Sequence, residues 1–223
     1  MIVSAFSKDV SMEIRPKPAT FVAGTGKCTY RITGPAKYVF LDIVGFTRGR
    51  FAEAQDDIVR ELKWIVLGCM KGVPRDIPIY LPTGDGLCIV MQCITTLFDL
   101  HLKTALRILE AIADYNDTVS DPQRQFAVRV GVNQNTDLFY FDINGRKNVA
   151  GAGINIASRL MDEAGPSQIL VGRADFDELS QRERYSNSFR YHPFVDKHGT
   201  EIDAYQYIGT HRGLNTDPPP KNN

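Results

Sequence analysis

Two aspartates stand where their neighbours do not account for them. Asp42 interrupts the apolar run YVFLDIV, residues 38–44, whose other members read as a buried strand. Asp85 sits between two glycines in LPTGDGLCIVM. Taken alone, Asp85 is an ordinary turn residue and Asp42 a buried acid satisfied by backbone amides. Together, a strand and a following hairpin that pairs with it bring two carboxylates to one edge of one sheet. Converging anions need a counter-charge. Oxygen-only ligation without His or Cys suits Mg²⁺ or Mn²⁺, two such cations per site, held by few carboxylates plus substrate phosphates. Gly45, in GFT after Asp42, frees the chain to turn, so the amides of Phe46 and Thr47 can approach phosphate oxygens.

A second set lies in GAGINIASRLMDEAG, residues 151–165. Asn155 and Arg159 are spaced i, i+4, beside an apolar face of Ile154, Ile156, Ala157 and Leu160. A solvent-facing Arg is the ordinary reading of such a pair. Beside two candidate metal carboxylates, the pair reads as donors to a polyphosphate, with Arg159 on developing phosphoryl charge.

The elements that must position these groups are interspersed. Strand 38–44 leads to a helix over 51–70, with Ile58, Leu62, Ile65, Val66 and Cys69 on one face. IYL and LCIVMQ form a hairpin around PTGDG. A second helix spans 96–118, FAVRVGV and TDLFYFDI read as a pair of strands, and 151–165 is a glycine-bounded helix. QILVG, FRYHPFV and DAYQYIG add short strands, with one more helix. The expected fold is α+β: a mostly antiparallel sheet with helices on one face. Residues 1–34 read as an irregular N-terminal arm with a short strand near Cys28–Thr33, 35–212 as the folded domain, and 213–223 as a disordered Pro-rich tail.

Composition narrows the function. Lys+Arg and Asp+Glu both number 26 in 223 residues, which gives no support for nucleic-acid or polybasic membrane binding. Cys28, Cys69, Cys88 and Cys93 form no C-x-x-C pair and read as small core hydrophobes in a reducing compartment. No apolar stretch approaches the roughly 20 residues of a spanning helix, and the N-terminus lacks a signal-peptide pattern. A cytoplasmic protein is expected.

In order and spacing, FLDIVGFT, TGDG, FAVRVGVN and GAGINIASRL resemble the blocks of the class III nucleotidyl cyclase catalytic domain, the adenylate and guanylate cyclase family, over residues 36–210. The resemblance implies a ferredoxin-like sandwich and a head-to-tail homodimer with two composite sites. By similarity, Asp42 and Asp85 hold both divalent ions with the carbonyl of Ile43. Arg129 contacts the terminal phosphates, while Asn155 and Arg159 reach across from the opposite subunit to ribose and phosphorus. Lys197, or His198 if the alignment shifts by one, binds outer phosphates. The implied reaction is attack of a nucleoside triphosphate's 3′-hydroxyl on its own α-phosphate, with loss of pyrophosphate.

The purine-reading positions depart from the family. Leu81 and Asn148 stand where adenylate cyclases carry Lys and Asp and guanylate cyclases commonly carry Glu and Cys; Asn133 replaces the usual histidine of the central block. Leu81 offers an apolar wall, and the Asn148 carboxamide both donates and accepts, as a pyrimidine edge requires. Tyr80 and Arg50 are further candidates for shaping the base pocket. These departures resemble the bacterial pyrimidine cyclases of anti-phage signalling, which make cyclic UMP or cyclic CMP for a separate effector protein. UTP is the expected substrate, CTP the next. The alternatives are a purine cyclase with an altered base pocket, a catalytically silent homologue that senses or scaffolds, and another palm-like phosphoryl-transfer enzyme.

Overall fold

The computed structural model describes residues 32–92 and 97–220. Its centre is a pair of long antiparallel strands, β1 (Ile32–Ile43) and β4 (Val128–Phe141), in register from Ile32↔Phe139 to Ile43↔Val128. Between them along the chain come α1 (Ala52–Cys69), the hairpin β2 (Pro78–Pro82) and β3 (Gly86–Gln92), and α2 (Leu100–Thr118). After β4 follow β5 (Lys147–Ala150), α3 (Ala152–Glu163), β6 (Ile169–Gly172) and α4 (Arg173–Leu179). A short 3₁₀ turn at Glu183–Tyr185 leads to β7 (Phe189–Tyr191), β8 (Phe194–Val195), β9 (Glu201–Ile202) and β10 (Ala204–Tyr207). The main sheet runs β2-β3-β1-β4-β6-β10-β7, with β5 on β4, and β8 and β9 form a separate ribbon. Among the described residues only β4 and β6 pair in parallel.

The expected α+β class and mostly antiparallel sheet are present. Helices on one face hold for three of the four. Odd positions of β1 (Val39, Leu41, Ile43) share a core with α1, α2 and Leu179 of α4, whereas Tyr38 and Phe40 pack with Ala157 and Met161 of α3 on the opposite face. A strand covered on both sides carries an unbroken apolar run, so its sequence does not reveal which helix lies where. Gly131 makes the α3 contact possible: a Cβ there would collide with the carbonyl of Ala157 and the amide of Met161.

Three other expectations change. FAVRVGV and TDLFYFDI are one strand rather than two. Gln134, Asn135, Thr136 and Asp137 look like turn formers, but their backbones pair with Gly34–Lys37. FRYHPFV is split at Pro193, which has no N–H for a ladder. The tail is docked up to Pro220. Asn215 donates its N–H to Ser167 O (2.8 Å), and the Gln168 and Gln206 side chains donate to Asp217 O (2.8 and 2.6 Å). Buried glutamines that need an acceptor hold it there.

Most of the expected N-terminal arm, its short strand, Cys28 and Cys93 lie outside the described residues, while Ile32–Gly34 already belong to β1. Cys88 is buried and Cys69 half-buried, both as thiols. No helix among the described residues is long and apolar enough to cross a membrane.

Candidate functional site

Asp42 is the last even-numbered residue of β1, on the α3 face, with its side chain 18% exposed. Its neighbours across the ladders are Gly86 in β3 and Arg129 in β4. Arg129 Nε and Nη2 both reach Asp42 Oδ2, at 3.0 and 2.9 Å. Its Nη1 donates to Asp162 O on α3 at 3.0 Å. The guanidinium thus supplies the counter-charge that a half-buried carboxylate requires.

Asp85 immediately precedes Gly86, in the turn that joins β2 to β3. Gly84 has φ +91°, a left-handed conformation suited to glycine, and Thr83 N–H closes the turn on Gly86 O at 3.0 Å. A Cβ at Gly86 would lie 2.5 Å from Leu41 O and 3.3 Å from Asp42 Oδ1, so this glycine lets the hairpin close against Asp42. The two carboxylates are near enough to repel: the Asp85 charge is among the influences that raise Asp42 above the usual carboxyl range, after burial itself. Hydrogen bonding in antiparallel strands alternates sides. Val44 N–H donates to Ala127 O on the β4 side, so Ile43 directs its carbonyl to the β3 side, where Asp85 lies.

The loop after β1 is pinned from below. Arg50 donates to the carbonyls of Gly45 (2.5 Å) and Phe46 (3.3 Å), and also to Gln123 O (3.0 Å) and Gln125 O (2.9 Å). With the carbonyls engaged, the amides of Phe46 and Thr47 have no partner among the described residues. Arg50 is therefore a loop staple rather than part of a base pocket.

These residues fit a divalent cation. Two carboxylates and one carbonyl give an oxygen-only donor set. Among the described residues no group of three or more acidic, His or Cys side chains could hold a metal ion, so water or a bound ligand would complete such a coordination shell.

The second half-set lies on α3 and the β8–β9 ribbon. Asn155 is exposed on α3 and makes no hydrogen bond among the described residues. Arg159 Nε lies 3.0 Å from Asp196 Oδ2, and a cleft of about 390 Å³ beside this pair is lined by Asp162, Phe194 and Lys197. Lys197 and His198 are both exposed in the turn between β8 and β9. No hydrogen bond or ion pair within the chain joins Asn155 or Arg159 to Asp42 or Asp85. The candidate residues thus fall into two separate groups in the described chain.

Leu81 lies on the Asp42 face, packed with Ile79, Val149 and the rest of the α3-side cluster. Tyr80 points to the α1 side instead, which removes it from any pocket shared with Leu81. Asn148 Oδ1 accepts its own neighbour's N–H, Val149, at 2.7 Å, leaving the amide nitrogen as the available donor. Asn133 is buried and donates to Gly153 O at 2.9 Å, supporting the start of α3.

Sequence reading missed a positioning cluster. Buried Asp137 accepts from the Tyr38 hydroxyl (2.5 Å) and Asn135 Nδ2 (2.7 Å), against Gly151 and Gly153. It seats a negative charge at the N-terminus of α3, where the helix dipole favours it. Only the two glycines in GAG hinted at a close approach there.

No family model matches the sequence, and no curated protein matches it. Solved structures do. The guanylate cyclase domain of RhGC from Catenaria anguillulae, in complex with GTP, superposes with TM-score 0.60 at 16% identity, covering 82% of this chain and 100% of that one. An adenylate/guanylate cyclase/hydrolase from Silicibacter pomeroyi gives 0.61 at 19%, covering 81% and 100%. The adenylyl cyclase CyaB from P. aeruginosa gives 0.56 at 17%, covering 83% and 100%. The chain has the fold of class III adenylate and guanylate cyclase catalytic domains.

Proposed function

We propose that this protein is a nucleotidyl cyclase that converts a pyrimidine nucleoside triphosphate, UTP in preference to CTP, into the 3′,5′-cyclic monophosphate and pyrophosphate. What supports the cyclase reading is the register that pairs Asp42 with Gly86, next to Asp85, with the Ile43 carbonyl turned to the same side and a loop with free amides following, on this fold. Divalent ions held by these three groups would lower the pKa of the 3′-hydroxyl and offset triphosphate charge. Arg129 would leave Asp42 for the terminal phosphates, and the Phe46 and Thr47 amides would cradle phosphate oxygens. Asn155 would orient the ribose from the opposite subunit of a head-to-tail homodimer, with Arg159 on the pentavalent phosphorus and Lys197 on the outer phosphates. The 3′-oxygen bonds to the α-phosphorus, the bond to pyrophosphate breaks, and Asp42 or a water takes the proton.

The pyrimidine reading rests on Leu81 and Asn148. Leu81 offers no polar handle to a purine, and the free Asn148 amide can donate to O4 of uracil or N3 of cytosine. By the resemblance, a cytoplasmic second messenger for a separate effector in anti-phage defence follows. A purine substrate is the second reading, because similar structures carry GTP and ATPαS.

Incubating purified protein with each of the four triphosphates and Mn²⁺, then identifying products by mass spectrometry, tests both. Cyclic UMP should dominate, and Asp42→Ala should fall at least about 10²-fold. Dominant cyclic AMP or GMP would overturn the base assignment; no cyclic product would overturn the cyclase reading.

A further inference from the structure

We propose that Asp196 is a positioning residue for Arg159, holding the root of its guanidinium so that both terminal nitrogens are free to face the reacting phosphate. The inference rests on the cyclase reading and deepens it. Asp196 closes the turn between β8 and β9, with its side chain 5% exposed. Oδ1 accepts the N–H groups of His198 (2.9 Å) and Thr200 (2.8 Å). That pins one oxygen and turns the other toward α3, 3.0 Å from Arg159 Nε.

Oδ2 is shut off from solvent and has no aligned hydrogen bond, although it is within ion-pair distance of Arg159. A turn residue needs only Oδ1, and an asparagine would close this turn equally well. The turn therefore leaves the second, charged oxygen unexplained. Burying it without a hydrogen bond is unfavourable unless a cation stands against it. The ion pair that Asp196 makes among the described residues is with Arg159.

Arg159 meets it through Nε. Neither terminal nitrogen makes a hydrogen bond among the described residues, so the planar fork keeps its outer donors for a phosphate. The same carboxylate organises the turn that carries Lys197, which coordinates two phosphate-directed cations from one anchor. The Thr200 and His198 amides, with the Arg159 charge, hold Asp196 below the usual carboxyl range against the opposing effect of burial, so it stays ionised at neutral pH.

Asp196→Asn separates the two roles, since it keeps the turn acceptor and removes the charge. Steady-state kinetics of the full-length protein with Mn²⁺ and UTP should show kcat reduced about tenfold and KM within about twofold, because aim is lost in the transition state more than in binding. In an Arg159→Ala background the same change should cost nothing further. If Asp196→Asn fails to fold, Asp196→Ser retains a turn acceptor and carries the same comparison. An unchanged or raised kcat would overturn the proposal, and so would losses that multiply in the Arg159→Ala background. A wild-type protein that makes no cyclic product overturns the cyclase reading and this inference together, whereas an active wild type with an indifferent Asp196→Asn overturns only the inference.

Discussion

Burial at the end of β1 pushes the Asp42 carboxyl above its usual range, Arg129 draws it back, and Asp85 and Asp162 add repulsion. The residue is held in tension by groups that the proposed triphosphate and its cations would rearrange. Asp99 shows the opposite balance at a structural position. Burial pushes its carboxyl up, but the Tyr185 hydroxyl (2.7 Å), Lys103 (3.3 Å) and the Arg184 guanidinium outweigh it, leaving it below the usual range. A carboxyl depressed in the folded state contributes stability that is present above its unfolded pKa of about 3.9 and lost as pH falls through the folded value. Asp99→Ala should therefore cost on the order of 1–2 kcal/mol at pH 7, because solvent screens the half-exposed Lys103 and Arg184. Urea unfolding should show the gap to wild type closing as pH falls below about 4. An equal gap at pH 7 and pH 3 would mean that the Asp99 charge is not what ties α2 to the turn at Glu183–Tyr185.

At the scale of elements, α3 is the part whose placement matters most to the proposed chemistry, because it carries Asn155 and Arg159. Gly131 admits its backbone to the sheet, while Asn133 and the Tyr38–Asp137 pair hold its first turn. Gly131→Ala puts a methyl group against two main-chain atoms of α3, and main chain cannot rotate aside as a side chain can. The expected loss is about 1–3 kcal/mol of stability. A displaced α3 should also lower kcat well below wild type at temperatures where the variant remains folded. Thermal melts alongside turnover at 20 °C check both parts. A fully active Gly131→Ala would show that α3 tolerates displacement. The β1–β3 pairing makes a similar demand at Gly86, but there the neighbours are Leu41 O and the Thr83 hydroxyl rather than a helix.

For the whole molecule, the proposed composite site makes a prediction about assembly. Asp42→Asn and Arg159→Ala proteins should each fall at least about 10²-fold while keeping a measurable residual activity, yet a mixture of them should recover about a quarter of wild-type activity. Half of randomly paired dimers are mixed, and each mixed dimer has one intact composite site. Mixing purified variants and measuring cyclic nucleotide against each variant alone tests this. No recovery after subunit exchange, verified by differently tagged chains, would place the complete site within one subunit.

The candidate residues Asp42, Asp85, Asn155 and Arg159 were legible in the sequence only in combination: a charge in an apolar strand, an acid between glycines and a polar pair beside an apolar helical stripe each have an ordinary reading alone, and their order and spacing together single them out. The alternation of helices and strands was legible for a related reason, since side-chain periodicity is a local property. Tertiary structure alone decided that α3 covers the face opposite α1 and α2, because β1 is apolar on both sides. It alone decided that Arg129 answers Asp42, that Arg50 staples the loop, that Asp196 faces Arg159, and that the tail binds Gln168 and Gln206. Apart from the Arg50–Gly45 contact, those pairings join residues far apart in the chain. Their energy depends on burial and angle, which exist only once the sheet has formed.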